Sequence, residues 1–216
     1  MKVKLDLSEI KRYLKYDSDS IDEVTNNNIN KAIKLVEENA SLKYTYNRYS
    51  ININENNIEV NNTILNFKSN DLARHLDNCD EVILLVATLG LPLDNLIKKL
   101  EITDLSLAYI VNAIAVEYLE KCLDKIQDEL NIEKNKTSRF SIGYGDLKLE
   151  YQSDFIKVLD ATKKIGVNVL DTNLMIPSKS VSAIIGLSNK KIGTSLKKCD
   201  KCLDNGMCSG KCFGKE

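Results

Sequence analysis

From Leu105 to Leu119 the chain reads LSLAYIVNAIAVEYL, and wound as a helix this stretch is apolar on almost every side. The spacing predicts a helix over about 103–130. Ala108, Val111, Ala115, Leu119, Cys122 and Ile126 form one stripe, and Leu107, Ile110, Ile114 and Tyr118 form a second. Such a helix cannot lie on a surface with one face wetted, so other elements must cover it. With 216 residues the chain is long enough to supply them and to bury a real core. Glu117 falls inside this apolar region, beside the second stripe. A buried carboxylate must find donors or a positive partner, or take up a proton. Glu117 is therefore either half of an internal salt bridge, with Arg139 a candidate partner, or a group facing a cationic ligand.

The covering elements are legible by period. Helical spacing runs over 8–14 and 18–40, where Ile21, Val24, Ile29, Ala32 and Val36 mark the apolar side. The period then shortens. Tyr44 and Tyr46 alternate with polar residues, Tyr49, Ile51 and Ile53 do so after a one-residue shift, an Asn-rich turn at 55–57 precedes Ile58 and Val60 and another at Asn61-Asn62 follows them, so 43–67 reads as an antiparallel meander. Ser69 to Asn78 is helical again. Glu81 to Gly90 reads as a buried strand ending at a glycine turn, and Pro92 opens a helix over 92–100. Beyond the long helix, 155–164 is helical, and 165–170 and 173–186 are strand-like, with Pro177 at a bend or edge.

Charge and composition exclude several functions. Thirty basic and 31 acidic residues leave a net charge of −1, so no overall field favours nucleic acid or an anionic membrane. The longest apolar run, Val82 to Ala87, is too short to span a bilayer, and the first residues lack a secretory apolar region, which points to the cytoplasm. His75 is the single histidine, so neither a Ser-His-Asp set nor a multi-histidine metal site is available. Its setting beside Leu72 and Leu76 makes it a helix-face residue rather than a catalyst.

Arg139-Phe-Ser-Ile-Gly-Tyr-Gly-Asp146 crowds an arginine, two glycines and a tyrosine into one turn. Glycine suits a backbone that must take positive φ or admit a close neighbour, and a planar guanidinium suits a carboxylate or phosphate. Gly143-Tyr144-Gly145 is not a dinucleotide fingerprint, since the third glycine, the preceding strand and the following acid are missing. The residues alone leave two readings open: an anion-capable turn, or a structural turn with a surface arginine.

This loop, followed by Leu149-Glu-Tyr-Gln152, Lys164-Ile-Gly-Val167 and Met175-Ile-Pro-Ser-Lys-Ser-Val-Ser-Ala-Ile-Ile-Gly186, resembles the activation domain of cobalamin-dependent methionine synthase. It is most similar to the stand-alone activation proteins of some anaerobic bacteria. Ala87-Thr-Leu-Gly90 and Ala113-Ile-Ala-Val-Glu117 fit the same family, and the resemblance covers most of residues 70–188.

The resemblance implies an α+β fold, a C-shaped single domain over 1–198 with a twisted antiparallel sheet and flanking helices. It implies binding of S-adenosylmethionine, with Arg139 on the methionine carboxylate, Gly143 and Tyr144 shaping the adenosine side, and Glu117 as the acid on the preceding helix. The implied role is repair, as a methyltransferase component: reductive remethylation of cob(II)alamin carried by a separate methionine synthase subunit, with flavodoxin or ferredoxin as electron donor. Placement of the methyl group, not acid–base chemistry, is then the work, and no catalytic residue is expected. Two departures stand out. Ile142 replaces the usual proline before Gly-Tyr, leaving the turn less pre-organised, and a different sequence follows the last strand. The Asp-x-His-x-x-Gly motif of the lower cobalt ligand is missing, so the corrinoid must sit on a partner.

That final sequence is a cysteine-rich tail, 199–216. Cys199, Cys202, Cys208 and Cys212, with Gly206 and Gly210 between them, suit one metal centre, either zinc or an iron–sulfur cluster; free thiols are the alternative. Two further readings of the whole chain stay open. One is a non-catalytic docking or metal-binding partner of a corrinoid protein, and the other is an electron-transfer protein built around the tail.

Overall fold

The computed structural model describes residues 3–14, 23–130 and 133–190. In chain order the elements are α1 (Leu7–Tyr13), α2 (Glu23–Asn39), β1 (Lys43–Asn54), β2 (Asn57–Val60), β3 (Asn66–Lys68), α3 (Asn70–His75), β4 (Glu81–Thr88), α4 (Leu91–Thr103) and α5 (Leu105–Glu129). There follow β5 (Asn135–Lys136), β6 (Phe140–Ser141), a 3-10 turn at Leu149–Tyr151, α6 (Gln152–Val158), α7 (Ala161–Ile165), β7 (Asn168–Val169), β8 (Met175–Ile176) and β9 (Ser180–Ser188). The class is α+β, with an antiparallel sheet and flanking helices. The described residues divide into two compact units.

The helical unit takes the described residues within Met1–Lys43, Ala87–Asn131 and Ile176–Ser180. Its axis is α5, against which α1, α2 and α4 pack. Asp104 opens α5 by accepting the Leu107 amide at 3.0 Å, satisfying one of the donors a helix start leaves over. Leu107, Ile110, Val111, Ile114, Leu119, Cys122 and Ile126 are buried, as an all-round apolar helix requires. Leu105 and Tyr109, at its first turns, are exposed instead. Among the described residues no helix is long and apolar enough to cross a membrane.

The sheet unit takes the described residues within Tyr44–Val86, Ile132–Met175 and Val181–Glu216. The strand order is β3-β2-β1-β4-β9-β5, with β6 also on β9. The meander has Ile51 opposite Val60 and Ile58 opposite Phe67, so the alternating apolar residues share one face. Phe67, Leu72, Leu76, Leu84, Phe140, Phe155 and Ile184 fill the core.

In β1, Tyr44 and Tyr46 stack at the surface while Thr45 turns inward. Two local expectations are corrected. The helix expected over 155–164 is two, α6 and α7, because Asp160 takes a left-handed conformation (φ 51°) between them. The strand expected over 173–186 is also two. Pro177, which has no N–H for a ladder, separates β8, paired with β7 in a small ribbon, from β9 in the main sheet.

Candidate functional site

Within the sheet unit, the Arg139–Asp146 segment begins where the chain leaves a ladder. Asn135 and Lys136 pair with Ser188 and Leu187, and Phe140 and Ser141 pair with Ile184 and Ala183. Between these pairs regular pairing gives way. The Thr137 amide donates to the Gly186 carbonyl at 3.0 Å, and the Thr137 hydroxyl takes the Gly186 N–H at 2.9 Å. His75 Nε2 lies 2.8 Å from the Ser138 carbonyl. A carbonyl oxygen only accepts, so Nε2 carries the proton. Arg139 follows this point directly and is half-buried.

The turn itself closes on its own backbone. Gly143 N–H donates to Leu147 O at 3.0 Å, Tyr144 N–H to Ser141 O at 3.1 Å, and Leu147 N–H to Tyr144 O at 3.0 Å. Gly143 sits at φ 89°, a region that costs other residues about 1–2 kcal/mol. The Ile142 side chain is buried in the core of the unit. It anchors the turn by apolar packing. Tyr144 stands half out of the protein, with the edge of its ring toward Phe140 and the centroids 6.2 Å apart. The turn after β6 carries a backbone at positive φ and an aromatic ring, with Arg139 just before the strand.

Asp146 ends the turn and ties it to the start of α3. Its carboxylate accepts the Ser69 hydroxyl, the Asn70 amide at 2.8 Å, the Asn70 side chain at 3.1 Å and the Asp71 amide at 3.1 Å. Its own amide donates to Asp71 Oδ2 at 3.1 Å. Burial alone would raise the Asp146 carboxyl, but the hydrogen bonds from Ser69, Asn70 and Asp71 outweigh it and hold the group below its ordinary value. Gly145 is required by the same clamp. A Cβ there would lie 2.3 Å from Asp71 Oδ2, and its φ is 53°.

Glu117 belongs to the helical unit, on α5. It is buried and accepts the Asp6 amide at 3.2 Å, with Lys121 Nζ 3.5 Å away. Its described partners within the helical unit are Asp6 and Lys121. Burial pushes the carboxyl above its ordinary value, against the Asp6 amide and Lys121, which pull it down.

The chain matches a solved structure described as the crystal structure of the MetH reactivation domain bound to AdoHcy. The TM-score is 0.65 at 14% sequence identity, over 89% of this chain and 77% of that one. This chain has the MetH reactivation domain fold. No family model and no curated protein matches the sequence.

Of the residues singled out from the sequence, Arg139 lies just before β6 and Gly143 and Tyr144 just after it in the sheet unit, and Glu117 lies in the helical unit. Cys199, Cys202, Cys208 and Cys212 lie outside the described residues. Among the described residues no cluster of His, Cys, Asp or Glu could hold a metal ion. Burial pushes the Cys79 and Cys122 thiols up to about 11, so both stay protonated at neutral pH. An open groove of about 600 Å3, lined by Ile53, Glu55, Arg74, Asp77 and Cys79 among others, includes none of the expected site residues. What sequence reasoning missed is the clamp of Ser69, Asp71 and Asp146. Ser69 was findable, because serine before an apolar helical run is a helix-start signal; its tie to a residue 77 positions away was not.

Proposed function

We propose that this chain is an S-adenosylmethionine-binding activation subunit serving a separate cobalamin-dependent methionine synthase. What supports the reading is the Arg139–Tyr144 segment, with its half-buried guanidinium, positive-φ glycine and half-exposed ring, in a fold whose solved neighbour is bound to AdoHcy. S-adenosylhomocysteine is what S-adenosylmethionine becomes once its methyl group has left. In this reading Arg139 takes the amino-acid carboxylate as a charge-assisted fork, and the Gly143 backbone and Tyr144 ring bound the adenosine side. Glu117, in the helical unit, takes donors from the Asp6 amide and Lys121 among the described residues, and we propose it separately as a carboxylate able to take a positive group. The partner's cobalamin supplies the metal chemistry. With one electron from a flavodoxin or ferredoxin and the methyl group of the sulfonium, cob(II)alamin returns to methylcobalamin. This chain's share is to hold the donor in reach and exclude water.

Titration calorimetry with S-adenosylmethionine tests the reading: saturable one-to-one heat is expected. Absence of binding at millimolar ligand would leave the second reading, a docking or metal-binding partner of a corrinoid protein. That reading draws on Cys199, Cys202, Cys208 and Cys212. Protein purified without oxygen should be brown if those thiolates hold an iron–sulfur cluster, and colourless but metal-bearing if they hold zinc.

A further inference from the structure

The segment that carries Arg139 and Tyr144 is gripped at both ends by one short helix. At its near end, His75, in the last turn of α3, donates from Nε2 to the Ser138 carbonyl at 2.8 Å. At its far end, Asp146 accepts the amides of Asn70 and Asp71 and the hydroxyl of Ser69, all at the first turn of α3, and returns its own amide to Asp71. We infer that α3 is a staple and that His75 and Asp146 are positioning residues, which fix Arg139 and Tyr144 for a ligand they do not themselves touch.

The geometry favours positioning over simple cohesion. Ser138 and Asp146 flank the turn, so fixing both removes the rotations by which the turn could swing as a body. Arg139 carries many side-chain rotamers, and a guanidinium recognises a carboxylate by direction as well as charge. Holding its backbone reduces the ordering left for binding to do. The ring of His75 adds a second restraint, its centroid 5.2 Å from that of Phe140, the residue after Arg139. Asp71 holds both Arg74 and the Asp146 amide, so the two ends of the helix are linked through it. Leu72 and Leu76 are fully buried beneath, which keeps the staple itself from moving.

The inference rests on the ligand reading above for its purpose, and the test separates the two. The variants are His75→Leu, which removes the donor, His75→Gln, whose terminal N–H2 can reach the same carbonyl, and Asp146→Ala. Hydrogen exchange on the ligand-free full chain is the first readout. In His75→Leu and Asp146→Ala the amides of Gly143, Tyr144 and Leu147 should exchange at least about tenfold faster, while those of α5 and β4 keep their rates. His75→Gln should restore wild-type exchange. The second readout is affinity for S-adenosylhomocysteine well below the melting temperature, expected to fall about tenfold or more in His75→Leu and to recover in His75→Gln. Uniform acceleration of all amides, or wild-type affinity with a loosened turn, would overturn the staple as a positioning device. A wild-type protein that fails to bind S-adenosylhomocysteine would sink the ligand reading instead, and the exchange pattern would still decide whether α3 fixes the turn.

Discussion

Glu117 in the helical unit and Asp146 in the sheet unit are both carboxylates drawn out of water by folding, and their carboxyls move in opposite directions. For each, burial is the largest single influence and acts upward. Glu117 meets it with one backbone amide and a lysine 3.5 Å away, and burial wins. Asp146 meets it with a hydroxyl, two backbone amides and a side-chain amide, and the donors win. Glu117 is the more deeply buried and has the fewer donors among the described residues, whereas Asp146 is only partly buried and has more, and both differences move the two carboxyls apart. Asp146 is saturated and builds the protein. Glu117 has fewer donors among the described residues, and its carboxyl is raised.

The largest expected effect falls on the segment that Asp146 holds. Arg139→Ala should weaken S-adenosylmethionine binding by about 2–5 kcal/mol, roughly 30-fold to several-thousand-fold, with melting little changed. Calorimetry on the variant checks it. Unchanged affinity would remove Arg139 from the site and make the clamped turn purely structural.

Next comes the clamp. Asp146→Ala should destabilise by about 2–3 kcal/mol in urea melts at neutral pH, since charged hydrogen bonds to helix-start amides are lost together. The sign with pH is fixed by the lowered carboxyl. Asp146 contributes stability above the unfolded carboxyl's pKa and loses it as pH falls through its own depressed value. The gap between wild type and Asp146→Asn should therefore close in acid, and a gap that stays constant would show that the lost bonds do not depend on charge. Gly145→Ala attacks the same clamp from the backbone, through its left-handed φ and the 2.3 Å approach to Asp71 Oδ2. A loss of about 1–2 kcal/mol is expected from the left-handed φ alone, with a further loss where Asp71 is pushed off the Asp146 amide.

Long, strongly patterned elements were legible in the sequence, and single residues with distant partners were not. The all-round apolar α5 and the run Val82–Ala87 announce themselves because burial on every side leaves no polar face. The α+β class came from the resemblance of the loop motifs, not from periodicity, and the fold match agrees with it. The break at Asp160 escaped because aspartate enters left-handed turns without any change in hydrophobic period. At the site, Arg139, Gly143 and Tyr144 were legible as neighbours in sequence. The Asp146 clamp and the His75 contact were not, because they join residues more than sixty positions apart through atoms whose spacing no periodicity records.

The smallest effect concerns Glu117, and its sign is what matters. Its carboxyl is raised by burial, so folded protein holds that proton more tightly than unfolded protein does. Stability from this group is fully present below the unfolded carboxyl's pKa and is lost as pH rises through the raised folded value. Above that value the wild type carries a buried anion, whereas Glu117→Gln carries a neutral group of the same shape that can still accept the Asp6 amide. The variant should therefore match wild type in acid and equal or exceed it at neutral pH, by less than about 1 kcal/mol. This is opposite in sign to Asp146→Asn. Thermal melts of both variants across the acid range check the pair. If Glu117→Gln instead loses stability at neutral pH, the Lys121 contact outweighs desolvation and Glu117 is a structural ion pair after all. Should the free protein be unharmed while S-adenosylmethionine affinity falls, this carboxylate serves the ligand, and the contrast with Asp146 becomes one between a group that binds and a group that builds.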